Sequence, residues 1–114
     1  MLMRRGTIVI AGDAGPAAAC SMLAGSLFAF GRLGAGAGAL MRGGTIVCLS
    51  RQPILPVFLD AGTSRQPFLN LYYTRIEAAG LALPRGARGG LYRRFVGDIS
   101  GPGKGEILTL EVLP

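Results

Sequence analysis

The chain has 114 residues, half of them hydrophobic, with 19 glycines, 7 prolines and no Trp. Its net charge of +6 favours anionic partners. Having no His and only two Cys, Cys20 and Cys48, far apart and outside any CxxC, it has no His general base and little with which to build a zinc site. At this length one small domain is expected, burying about two thirds of its unfolded surface, so that stability leans on a partner or on further repeats.

In chain order the first feature is a repeat. "MRRGTIVI" at Met3 returns as "MLAGSLFA" at Met22 and "MRGGTIVC" at Met41, so the methionines stand 19 residues apart, as do Gly6, Gly25 and Gly44. Thr7, Ser26 and Thr45 keep the register, and Gly12 matches Gly31 as Gly15 matches Gly34. The stretch from Ala14 to Phe30 is uncharged and follows Arg4-Arg5, the pattern of a signal peptide or a membrane span. Asp13, the breakers Gly12, Gly15, Pro16 and Gly25, and a shortage of Leu, Ile and Val argue against both, and the repeat accounts for the same residues.

A period near 20 residues marks a solenoid, whose units cannot bury their apolar faces alone. "GTIVIAG" and "GGTIVCL" are β-branched runs bounded by Gly, and the segments between lack helical periodicity, so the unit reads as a coil of parallel β-helix over residues 1–51. Stacking at about 4.8 Å predicts one ladder of Ile8, Leu27 and Ile46 and a second of Ile10, Ala29 and Cys48 on the same face. Alternation sends Val9, Phe28 and Val47 to the other face, to be covered by the C-terminal segment or another chain. Both cysteines read as small apolar fillers. "GAGAG" at Gly34–Gly38 resembles a phosphate loop, but Met41 opens another strand where a helix is required, so corners are expected.

The repeat ends at "LSRQP". Residues 52–66 read as a Pro-containing connector and 67–80 as a helix: Ser64 is available as a cap, Pro67 is tolerated in the first turn and Gly80 stops it. Phe68, Tyr72, Ile76 and Ala79 form its apolar stripe, expected to pack on the solenoid. Residues 81–114 read as a basic loop and a terminal strand, "GEILTLEVLP". The loop's five basic residues between Arg85 and Lys104, interleaved with Tyr92 and Phe95, lack any RNA-binding module and read as a solvated, partner-facing surface.

The coils "MRRGTIVIAGDAG" and "ALMRGGTIVCL", the connector "PILPVFLDAG" and the ending "YRRFVGDISGPGKGEIL" resemble the C-terminal half of the third (C-type) subunit of formylmethanofuran dehydrogenase. Its bacterial counterpart belongs to the formyltransferase/hydrolase complex. The coil motif is shared with the GXGXG β-helix domain of glutamate synthase, while "RRFVGD" and "GKGEI" are narrower. The resemblance implies an all-β protein, a right-handed parallel β-helix of 19-residue coils followed by one α-helix and an extended tail. It implies a cytoplasmic, non-catalytic scaffold in one-carbon metabolism, with no cofactor in this chain. Molybdenum or tungsten pterin, or zinc, belongs on partner subunits, and a methanofuran-type coenzyme serves the complex. The implied partners are amidohydrolase-like, formyltransferase and pterin-binding subunits, with neither nucleic acid nor membrane among them. Arg93, Arg94 and Lys104 are the candidates for holding an acidic coenzyme tail, because the family's coenzymes carry glutamate chains. Family members carry further coils upstream, so the coil at Met3 is expected to leave an open strand edge. The other readings are a glutamate synthase-like domain supporting an amidotransferase and a stand-alone solenoid binding module.

Overall fold

A computed structural model describes residues 6–10, 25–32, 43–50, 58–97 and 105–111. They form six strands and one helix: β1 (Thr7–Ile10), β2 (Ser26–Ala29), β3 (Thr45–Cys48), β4 (Leu59–Arg65), α1 (Leu69–Ala78), β5 (Leu91–Val96) and β6 (Glu106–Leu110). All six strands belong to one mixed sheet in the order β1-β2-β3-β6-β5-β4.

The three repeats stand side by side as parallel strands in the expected register, with Ile8 beside Leu27 beside Ile46 and Ile10 beside Ala29 beside Cys48. The junctions repeat as well: Ser26 N donates to the Gly6 carbonyl and Thr45 N to that of Gly25, each at 2.9 Å. Gly6, Gly25 and Gly44 share φ of 102°, 97° and 89°, a region that a Cβ disfavours, which explains why this repeat position is always Gly. The terminal strand β6 adds a fourth rung beyond β3, pairing Ile107 with Ile46 and Thr109 with Cys48. Glu106 N donates to the Gly44 carbonyl at 3.1 Å, as the repeats do among themselves. "GAGAG" and Cys20 lie outside the described residues.

On the opposite face the Phe28 and Val47 stripe is buried beneath α1. Phe28 meets Tyr72 and Tyr73 with ring centroids 5.3 and 5.8 Å apart, and both strand residues join Leu69, Tyr73, Ile76, Tyr92, Leu108 and Leu110 in one core. The C-terminal half thus covers this stripe. The inward face of α1 is Leu69, Tyr73 and Ile76, not the expected row through Phe68 and Ala79; Phe68 stays 43% exposed. Ser64 does not cap the helix, because it belongs to β4. Its place is taken by a tight turn in which Leu69 N and Asn70 N donate to the carbonyls of Gln66 and Pro67. The stop is as expected: Gly80, at φ 91°, donates to the Glu77 carbonyl and Leu81 to that of Ile76, the paired bonds of a Schellman end.

Two segments read as irregular are strands. Within residues 52–66, "LDAGTSR" is β4, a sequence poor in β-formers that gains its conformation by pairing antiparallel with β5. Within the basic segment, Leu91–Val96 is β5, where alternation buries Tyr92. The edges of the sheet differ. β4 carries Asp60, Arg65 and an irregularity between Asp60 and Thr63, features that discourage further pairing, whereas β1 is uncharged and has none of them.

Candidate functional site

The arginines expected to act together are separated by the pleat of β5. Adjacent residues of a strand point to opposite faces, so Arg93 and Arg94 cannot converge on one ligand group from the same side. Arg93 donates from Nε to Glu111 Oε1 and from an Nη to Asp60 Oδ2, both at 2.8 Å, tying β5 to β4 and to the residue after β6. Its two carboxylates hold the guanidinium proton more tightly than usual, Glu111 contributing most. The Asp60 carboxyl is held below its ordinary pKa by the Gly62 N–H at 2.8 Å and then by Arg93.

Arg94 lies on the face that carries α1. Its Nε donates to Glu106 Oε2 at 2.8 Å, and Thr45 Oγ1 donates to the other oxygen at 2.9 Å. One carboxylate thereby joins β5, β6 and β3. Lys104 lies outside the described residues. Arg93 and Arg94 therefore serve internal pairing, at side-chain exposures of 39% and 45% that limit what each pair contributes. Sequence reasoning missed these pairs because the acids stand 18, 33 and 12 residues away in sequence.

A buried polar pair anchors the helix. Tyr92 donates to the Ala87 carbonyl at 2.6 Å, so its single proton is used, and the Tyr73 hydroxyl 2.5 Å away must donate to the Tyr92 oxygen. Desolvation pushes both phenols up, Tyr73 further because it is also the donor of the pair. Among the described residues no cluster of His, Cys, Asp or Glu could hold a metal ion, and no helix is long and apolar enough to cross a membrane. On the outer flank of α1, Leu71, Tyr72 and Arg75 line a shallow groove of about 180 Å³. No reading of the sequence singled out this groove, because a heptad-like stripe shows which residues are apolar but not which of two adjacent stripes turns inward.

No family model and no curated protein matches the chain. Among solved structures it is similar to a chain of the formyltransferase/hydrolase complex from Methylorubrum extorquens, crystallised in complex with methylofuran, at 34% identity and a TM-score of 0.72. The similarity covers 96% of this chain and 41% of that one, so the chain spans less than half the length of the chain it matches. Over nearly its whole length the chain is similar to part of a component of a formyltransferase/hydrolase complex, in agreement with the resemblance read from its sequence.

Proposed function

We propose that this chain is a non-catalytic scaffold subunit of a formyltransferase/hydrolase complex in one-carbon metabolism. The observation that carries the proposal is the similarity over 96% of the chain to a component of such a complex. On this reading the three repeats and β6 are rungs of a right-handed parallel β-helix, and the coils between them complete the solenoid. Formyl transfer to a methanofuran-type coenzyme and its hydrolysis to formate take place on amidohydrolase-like and formyltransferase subunits in the cytoplasm, and any metal is held there. The apolar ladders and the helix packed on the sheet make a stiff body against which those subunits keep a fixed spacing.

Arg93 and Arg94 act in this role as strand clamps. Holding an acidic coenzyme tail competes with the internal pairs of both arginines. Replacing Arg94 and Lys104 by Gln therefore leaves the coenzyme affinity of the assembled complex unchanged; a tenfold loss would restore the tail-holding role.

The scaffold proposal is tested by co-expressing the catalytic subunits with and without this chain. Formyl release should fall when the chain is omitted and recover when it is added back, while the chain alone releases none. Full activity of the catalytic subunits without it would refute the proposal.

A further inference from the structure

α1 carries a second apolar stripe beside the one that packs on the sheet. Phe68, Leu71, Tyr72 and Arg75 fall at i, i+3, i+4 and i+7, neighbours on one helix face. Leu71 is 74% exposed and Phe68 43%, two of the three large apolar side chains left exposed among the described residues. Tyr72 is half-buried, its ring against Phe28, and forms the wall between core and groove. Leu71, Tyr72 and Arg75 line the groove of about 180 Å³. Arg88, Arg93 and Arg94 are paired with carboxylates, whereas the Arg75 guanidinium has no such partner among the described residues. The fold itself does not require an exposed Leu beside a guanidinium that no described carboxylate pairs, since a polar helix former would serve this surface position as well.

We infer that this stripe is the docking surface for a segment of a partner subunit that seats an apolar side chain between Leu71 and Tyr72 and sets a carboxylate against Arg75. The inference rests on the scaffold reading, because it needs a partner subunit. Charge selects the occupant: the chain carries +6, and of the three residues lining the groove Arg75 alone is charged, with a fork of donors that fits a carboxylate. Tyr and Arg in a partly enclosed apolar setting are the residues that dominate interface energetics. A second copy of this chain fits poorly, since a two-fold contact would bring the same guanidinium from both copies to one axis.

The test uses Leu71→Asp with Arg75→Glu in the chain co-expressed with the amidohydrolase-like and formyltransferase subunits. Leu59→Asp, the same Leu-to-Asp change at an exposed position on β4, is the control. The double variant should lower the co-eluting fraction at least tenfold and L59D should not, with the circular dichroism and urea midpoint of the purified chain unchanged in both. Wild-type co-elution of the double variant, or an equal loss in L59D, overturns the docking surface and leaves the scaffold reading standing. A wild-type chain that never co-elutes overturns both. Self-association of the chain alone that is abolished by L71D/R75E would assign the surface to a second copy and overturn the inference.

Discussion

Tyr73 and Tyr92 form a directional relay, and direction makes their removal unequal. Tyr73→Phe deletes a donor; the Tyr92 hydroxyl still donates to the Ala87 carbonyl, and the loss is one buried hydrogen bond, about 1 kcal/mol. Tyr92→Phe deletes the acceptor and strands the Tyr73 hydroxyl in a side chain that is fully buried. The Ala87 carbonyl keeps the Gly90 N–H at 3.3 Å, so the dominant cost is the orphaned hydroxyl plus one lost bond, about 2–4 kcal/mol. Replacing both by Phe removes the orphan and should recover about 1 kcal/mol relative to Y92F. Urea unfolding of the four proteins gives the order wild type, Y73F, Y73F/Y92F, Y92F from most to least stable. Equal losses in the two single variants, or a larger loss in Y73F, would refute the assigned direction. The same pair sets an alkaline limit. Both phenols have pKa values raised above the ordinary 10.0, so their contribution is fully present below pH 10 and is lost as pH rises through the folded values. Unfolding stability should therefore fall as pH rises above 10, and the double Phe variant should lack that fall.

Three further outcomes are expected. Gly90→Ala would place a Cβ against the Gly86 backbone carbonyl oxygen, which cannot give way without moving the turn, and 2.7 Å from Leu110 Cδ1, and should cost about 1–3 kcal/mol in urea unfolding. Gly44→Ala, at φ 89°, should cost about 1–2 kcal/mol by the same measurement and lower the hydrogen-exchange protection of Glu106, whose N–H bonds the Gly44 carbonyl. Asp60 has a lowered pKa, so its contribution is present above 3.8 and lost as pH falls through the folded value; Asp60→Asn should remove that part of the acid dependence, read from urea midpoints across the acid range.

How much is legible in the sequence follows from how local each cause is. The ladders of Ile8, Leu27 and Ile46 are readable because a constant 19-residue offset fixes the register without any knowledge of the intervening chain. β6 is readable as a strand but not as the fourth rung, because Glu106 follows Thr45 by 61 residues, off the period; the signal is present in "GEILTL" against "GTIVCL". β4 is hidden for a different reason. Asp60, Gly62 and Ser64 favour turns, and only pairing with β5 makes the segment extended. On α1 the residue types show an apolar helix, but they do not show that Phe68, at the turn that leads in, stands outside the inward face while Leu69 belongs to it. The arginines are legible as a cluster but not as divergent, because alternation and long-range acids decide their partners.

The most direct measurement is native mass spectrometry of this chain co-expressed with the amidohydrolase-like and formyltransferase subunits. A species whose mass contains this chain together with both catalytic subunits is the predicted result. Detection of the chain only in free form, beside catalytic subunits that assemble without it, would contradict its place in the complex.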